Sequence, residues 1–276
     1  MIGGGAQRRR RVDARNVRAG GEPGGEQDEA RTARHARETS ASGAPLYRAL
    51  PMTKRVERPT VREGYDRWSR TYDATPNPLV ALDRRTTFAA LDPQPGERVL
   101  DAGCGTGAHL ARVCASRARA VGLDFSRGML SVAQRSAPGA GLAQADLNAP
   151  FPVRRGAFDA LLSSLVSEHL RDLAGFFREA YAALRRGGRM VFSAFHPELA
   201  RAGIEANFSE GDTEVRLGAE PYSTDDYLNA MDAAGFARIE RADFRGDAAL
   251  VSQVPVAAKY LGKPLLLLVR AERPAP

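Results

Sequence analysis

Cysteine is almost absent from this sequence: 276 residues carry two, Cys104 and Cys114. Neither has a neighbour at metal-ligand spacing. That excludes a disulfide framework and a cysteine-rich metal site, and leaves both as reduced thiols without a catalytic part. Tryptophan occurs once, histidine four times, and lysine three times against 37 arginines. Long apolar runs are missing as well. The longest, Pro264-Leu265-Leu266-Leu267-Leu268-Val269, falls far short of the roughly 20 residues a membrane helix needs, and the N-terminus lacks the apolar core of a secretory signal. These absences point to a cytoplasmic protein with no membrane partner.

The formal net charge is +7, and it is unevenly spread. Residues 1–51 hold ten arginines against six acidic residues, more than half of the surplus. Runs such as Gly3-Gly4-Gly5 and Arg8-Arg9-Arg10-Arg11 have almost no apolar periodicity and cannot bury enough surface to fold, so this leader is expected to be disordered. One reading of it is a basic arm for phosphates. The other, favoured by the arginine-for-lysine bias as a codon effect, is an over-extended reading frame whose start is Met52. Residues 52–276 then suffice for one α/β domain.

What the chain does carry is Val99-Leu100-Asp101-Ala102-Gly103-Cys104-Gly105-Thr106-Gly107: an apolar run, a carboxylate at its end and three alternate glycines. This is the pattern of a strand entering a ligand-binding turn. Glycines let the backbone approach a ligand, and helical character from His109 to Val113 opens free N–H groups onto the same turn. Asp101 would repel a dinucleotide's pyrophosphate but suits a ligand with an ammonium and a sulfonium, such as S-adenosylmethionine. Gly103, Gly105 and Ala108 also satisfy the loose dinucleotide fingerprint, so the glycines alone leave NAD open. Two further short strands end in acids. Asp124 closes Ala120-Val121-Gly122-Leu123-Asp124, where a ribose diol needs a bidentate acceptor, and Asp146 lies in Ala143-Gln144-Ala145-Asp146-Leu147, able to accept from an adenine amino group. Open α/β sheets bind ligands outside the carboxyl ends of such strands.

On these residues the chain resembles the class I S-adenosylmethionine-dependent methyltransferases, in particular the small-molecule branch with the menaquinone/ubiquinone-type and biotin-pathway enzymes. The resemblance runs over roughly residues 61 to 273. It is carried by Asp101 to Gly107, by Gly122-Leu123-Asp124-Phe125-Ser126, and by Ala145-Asp146-Leu147 with Pro150-Phe151-Pro152. Phe158 to Ser164 matches a fourth strand, and Leu184 to Ser193 a helix end, glycine turn and fifth strand, with Arg186 where the family has proline. The resemblance implies S-adenosyl-L-methionine as cofactor. Its methionine end would be held by Asp101, Gly103, Cys104, Gly105 and Gly107, its ribose by Asp124, and its adenine by Asp146 with Leu147; Phe125, Met129, Ser163 and Tyr72 would complete the site. It also implies a seven-stranded sheet whose last strand inserts antiparallel between its neighbours.

Downstream, helical and strand patterns alternate: Phe176 to Leu184, Met190 to Phe195, Ser223 to Ala234 with Gly235 as a stop, Ala237 to Phe244, and Leu265 to Arg270. The fold expected is therefore α/β, a doubly wound, Rossmann-like, mostly parallel sheet. Val61, Tyr65, Trp68 and Tyr72 share one helical face, and residues 61–92 read as an N-terminal helical cap, either packed on the core or closing over the cofactor. Segments 196–222, with a possible hairpin from Asn207 to Leu217, and 246–263 exceed what connections require and read as substrate-side insertions.

The implied reaction is in-line displacement at the donor's methyl carbon, with a base needed only for a hydroxyl or protonated amine. His196, directly after the fifth strand, is the first candidate base, and its type titrates near neutrality. His169, in Ser167-Glu168-His169-Leu170, is the second; His109 is read as packing or capping beside the glycine turn. A nucleic-acid amino-methyltransferase would carry Asn/Asp-Pro-Pro-aromatic where this chain has Ser163-Ser164-Leu165-Val166, so a small-molecule acceptor is expected. Beside it stand a nucleic-acid or protein methyltransferase, a non-catalytic S-adenosylmethionine-binding protein and, last, an NAD-linked oxidoreductase.

Overall fold

Strand β1 (Arg55–Glu57) leads into helix α1 (Val61–Trp68), which starts at Thr60 because the Thr60 hydroxyl accepts from the Glu63 amide while the Glu63 carboxylate accepts from the Thr60 amide. Helix α2 (Pro78–Leu91) begins on Asn77, whose side chain accepts from the Leu79 and Val80 amides, with Pro78 in the first turn where its missing N–H costs nothing. The alternating units follow: β2 (Arg98–Ala102), α3 (Ala108–Ala115), β3 (Arg119–Asp124), α4 (Arg127–Ser136), β4 (Gly141–Gln144), β5 (Phe158–Ser164), α5 (Leu173–Ala183) and β6 (Leu184–Phe195). After them come α6 (Pro197–Arg201), β7 (Asn207–Glu210), β8 (Thr213–Arg216), α7 (Thr224–Ala233), β9 (Ala237–Arg245), α8 (Ala248–Gln253) and β10 (Pro264–Glu272). This computed structural model describes residues 55–276; the leader at 1–51 lies outside the described residues.

The main sheet has seven strands in the order β4-β3-β2-β5-β6-β10-β9. Neighbours from β4 to β6 pair in parallel, and β10 runs antiparallel between β6 and β9. Alternate residues of each central strand enter opposite layers. Leu100, Leu161 and Phe192 join Phe176 and Phe177 of α5 on one face, while Val99, Leu162 and Val191 join Leu91 of α2 and Leu110 of α3 on the other. Helices on both faces explain why these strands read as near-continuous apolar runs.

Two boundaries differ from the sequence reading. Strand β6 starts at Leu184 rather than Met190: Phe158 pairs with Leu184 and Ala160 with Arg189, so the Arg185–Gly188 turn is a bulge inside the strand. Strand β4 stops at Gln144, short of Asp146, whose Oδ1 accepts from the Asn148 amide at 2.9 Å and turns the chain.

A second, three-stranded sheet is built from β1, β8 and β7, with β1 parallel to β8 and β7 antiparallel to it. The aromatic face of α1 seats on this hairpin sheet. Trp68, 3% exposed, stacks on Phe208 with ring centroids 4.9 Å apart, over Val215 and Leu217. The 246–263 segment packs elsewhere: Leu250 of α8 shares a cluster with Leu82 of α2 and Leu265, and Arg85 meets Asp247 at 2.7 Å. No helix among the described residues is long and apolar enough to cross a membrane.

Candidate active site

The carboxyl ends of β2, β3, β4 and β5 open into one cavity of about 450 Å³. Gly103 and Gly105 floor it, Asp124, Phe125 and Met129 line one side, and Ala145 to Asn148 another. Ser164, Leu165 and Val166 line it from the end of β5, and Thr60, Val61, Arg62 and Tyr65 roof it from the α1 side together with Leu217 to Glu220, Leu217 packing against α1. Gly103 is required here: its φ is +91°, and a Cβ would stand 2.2 Å from the Val166 Cγ2. The turn is tied together by Asp124, whose Oδ2 accepts from the Gly105 amide and Oδ1 from the Ser126 amide, both at 2.9 Å. Burial raises the Asp124 carboxyl above its ordinary range. Asp146, whose Oδ1 accepts the hydrogen bond from the Asn148 amide, lines the cavity as well.

Of the residues singled out in the sequence, Gly103, Gly105, Asp124, Phe125, Met129, Asp146, Leu147, Tyr72 and His169 line this cavity. The others are placed differently. Asp101 and Cys104 line a second, smaller cavity of about 60 Å³ that shares Gly103 and Gly105 with the first, and the Cys104 sulfur leaves no room for a side chain at Gly122, its thiol pushed well up by burial. Gly107 lines neither cavity. Its φ of +81° and a would-be Cβ 3.0 Å from the Ala133 Cα show that it serves the close approach of α3 to α4. The Ser163 hydroxyl donates to the Ala102 carbonyl at 2.9 Å inside the sheet, and the neighbouring Ser164 is the one that faces the cavity.

His196 is corrected most firmly. It lines neither cavity. It is the N-cap of α6, its Nδ1 accepting from the Glu198 amide at 3.3 Å, its own amide bonded to the Leu265 carbonyl, and its Nε2 3.5 Å from Asp243 of β9. Strand β6 delivers it to the β10–β9 side of the sheet, whereas the cavity lies across β5 on the β2–β3 side. The 246–263 segment likewise contributes nothing to the lining of either cavity.

His169 sits inside, its Nε2 3.0 Å from the Tyr65 hydroxyl. Burial pulls its imidazole down to about 4 and pushes the Tyr65 phenol well up, so the pair is neutral at physiological pH. Beside it stands Glu168, to which the sequence reading gave no role of its own. Its Oε2 is buried with no hydrogen-bond partner, and burial pushes its carboxyl up to about 7. Also missed was the network around Asp83 of α2. Its Oδ1 accepts from the Thr87 and Ser193 hydroxyls, each at 2.6 Å, and its Oδ2 from Ser164 at 2.6 Å and His109 Nε2 at 2.9 Å. An acid in the apolar stripe of α2 was its one local signal.

Both oxygens of Asp101, 1% exposed, lack a hydrogen-bond partner, and burial pushes its carboxyl up to about 7. A buried acceptor without a donor fits a ligand that brings N–H groups, and the ammonium of S-adenosylmethionine is such a group. Among the described residues no cluster of histidine, cysteine and acids could hold a metal ion.

Comparison with known proteins agrees. Residues 100–192 match a family model described as a methyltransferase domain. The demethylmenaquinone methyltransferase of Corynebacterium kroppenstedtii is 36% identical over 137 residues, covering 48% of this chain and 58% of that enzyme, so the match spans little more than half of the relative. The demethylmenaquinone methyltransferase of Clavibacter sepedonicus is 31% identical over 202 residues, covering 64% of this chain and 82% of that enzyme. The crystal structure of an S-adenosylmethionine-dependent methyltransferase from Mesorhizobium loti superposes with a TM-score of 0.59 at 28% identity, covering 71% of this chain and all of that one. With the fold, the glycine turn and these relatives in agreement, the chain belongs to the class I S-adenosylmethionine-dependent methyltransferases.

Proposed function

We propose that this protein transfers the methyl group of S-adenosylmethionine to a small-molecule acceptor bound under α1. The observation that carries the reading is the cavity itself: the glycine turn, Asp124, Asp146 and the Glu168, His169 and Tyr65 group share one space of about 450 Å³, in the usual size range for small-ligand sites. Demethylmenaquinone, named in the two relatives, is itself a small acceptor, which supports the class.

When bound, the cofactor supplies an electrophilic methyl on a sulfonium. Asp124 would accept from the ribose hydroxyls, Asp146 with Leu147 would receive the adenine, and Gly103 and Gly105 leave the backbone open to the chain of the ligand. Tyr65, Tyr72 and Leu217 exclude water, and the aromatic rings favour a cation beside them. In this reading α1, Tyr72 and the 217–220 segment after the hairpin act together as the cap, whereas α2, read from the sequence as part of it, packs on the sheet through Leu82 and Leu91. Glu168 takes the place first given to His196. Its carboxyl near 7 can receive a proton at Oε2 at neutral pH, while the neutral His169–Tyr65 pair orients the acceptor by hydrogen bonding.

Isothermal titration of the full chain with S-adenosylmethionine, S-adenosylhomocysteine and NAD tests the reading. Binding of the two adenosyl ligands without NAD is expected, and justifies a screen of metabolites for transfer of a labelled methyl group. A folded sample that binds neither adenosyl ligand overturns it.

A further inference from the structure

Three rings and one carboxylate line the large cavity together: Tyr65, Tyr72, His169 and Glu168. The Tyr65 ring centroid lies 6.5 Å from that of Tyr72 and 5.4 Å from that of His169, at interplanar angles of 50° and 79°, so the rings are tilted against one another. Glu168 belongs to the short 3-10 turn Ser167–His169, and its carbonyl accepts from the Glu220 amide at 2.8 Å, which pins the turn to the 217–220 segment. Burial first, and then the charge of Glu168, push the Tyr65 and Tyr72 phenols up, as a carboxylate close to both does. Its buried Oε2 has no hydrogen-bond partner. Such an oxygen calls for a donor, and ring faces favour a cation.

An ammonium meets both demands, with N–H bonds for the carboxylate and positive charge for the rings. An alcohol or phenol meets only the first. It must also attack with alkoxide or phenolate character, which a nearby cation would have to stabilise. Among the described residues lining the cavity, only Arg62 and Arg171 carry a fixed positive charge, and both are exposed. Arg62 lies over the Phe125 ring at 5.5 Å, next in sequence to Asp124, and the Arg171 amide donates to Asn148, whose own amide bonds Asp146. His169 adds no charge, since burial pulls its imidazole down to about 4. Against the two arginines stand Asp124, Asp146, Glu168 and Glu220, so the lining as a whole favours a cation.

We propose that the methyl acceptor is an organic amine, taken up as its ammonium between Glu168 and the rings of Tyr65, Tyr72 and His169. The inference deepens the methyltransferase reading of this cavity and rests on it. Glu168 Oε2 takes one N–H proton from the ammonium, and a carboxyl that stands near 7 in the free protein can hold that proton at neutral pH. The nitrogen lone pair so freed forms the bond to the methyl carbon, while the C–S bond breaks with its electron pair going to sulfur. The products are S-adenosylhomocysteine and the N-methylammonium, and Glu168 passes its proton to water as they leave.

The test titrates matched probes into the full chain saturated with S-adenosylhomocysteine: isobutylamine against isobutanol, benzylamine against benzyl alcohol, and benzoate as the anion. Each amine should bind at least about tenfold more tightly than its alcohol, and benzoate more weakly than either benzyl compound. Glu168→Gln, which keeps the shape and removes the charge, should weaken the amines about ten- to a hundredfold and the alcohols by no more than about twofold. Tyr72→Leu should narrow the amine preference, whereas Tyr72→Phe, which keeps the ring, should retain it. Alcohols that match their amines, amines that do not bind, benzoate as tight as benzylamine, or an amine preference that survives Glu168→Gln each overturn the amine assignment and leave the cofactor reading in place. Wild-type protein that does not bind S-adenosylhomocysteine overturns the cofactor reading, and the amine assignment with it.

Discussion

Asp83 and Asp101 line the same small cavity and are almost equally sealed from solvent, at 2% and 1% exposure, yet they sit in opposite electrostatic states. Asp83 receives three hydroxyls and an imidazole and is held as a carboxylate. Asp101 receives no donor, and burial pushes it up to about 7. Burial is common to both, so the donors decide the charge. One acid ties α2 to α3, β5 and β6 and belongs to the scaffold. The other is left with acceptor capacity that a ligand can use.

The largest expected effect separates the two directly. Asp83→Ala strands four buried groups and should lower the unfolding free energy by about 3–5 kcal/mol in urea, whereas Asp101→Asn should leave the free protein at pH 8 as stable as wild type or more so. Equal costs would break the comparison. Next is Asp124→Ala, which removes an acceptor from the larger cavity and should weaken S-adenosylhomocysteine about ten- to a hundredfold by calorimetry. Undiminished affinity would take Asp124 out of the ligand site.

The pH dependence of the free protein sharpens the contrast further. An unfolded aspartate ionises near 3.9, whereas folded Asp101 keeps its proton until about 7. Over that window the native state binds more protons than the unfolded chain, so stability from this group falls as pH rises, by at most about 1.4 kcal/mol per pH unit. Glu168, also raised to about 7, adds to the same slope. Asp83 works the other way, its contribution present above the unfolded value and lost as pH falls through its lowered one. Urea titrations from pH 5 to 8 should show a shallower slope for Asp101→Asn than for wild type, and identical slopes would contradict the raised carboxyl. The smallest effect belongs to His196→Ala. Loss of the α6 cap should cost about 0.5–2 kcal/mol with S-adenosylhomocysteine affinity unchanged, and a large loss of affinity would return His196 to the site.

Much of the architecture was readable in advance because its signals are local. The apolar run and glycines around Asp101, the acids ending successive strands and the helical periodicity after Gly107 each lie within a few residues of one another. Strand β6 was misjudged at its start because a bulge keeps pairing through Arg185–Gly188, which looks like a turn in one dimension. His196 was misplaced for a different reason. Its nearness to a strand's carboxyl end was read correctly, but which side of the sheet that end serves depends on strand order, and β5 stands between it and the cavity. His109 was set aside because its partner lies in another helix. Glu168 was passed over because its burial beside residues of α1 and the 217–220 segment is a product of the fold.

The sequence by itself determined the alternation of strands and helices, the doubly wound sheet and the glycine turn with its acids, because periodicity, propensity and backbone freedom are properties of short stretches; the antiparallel last strand came only with the family resemblance. The tertiary structure decided which histidine lines the cavity, which buried acid is charged and where the aromatic face of α1 rests. Those outcomes hang on donors and surfaces brought from afar, as when Asp83 meets His109 across 26 residues, Ser164 across 81 and Ser193 across 110, and a carboxyl's charge is set by whatever the fold delivers to it.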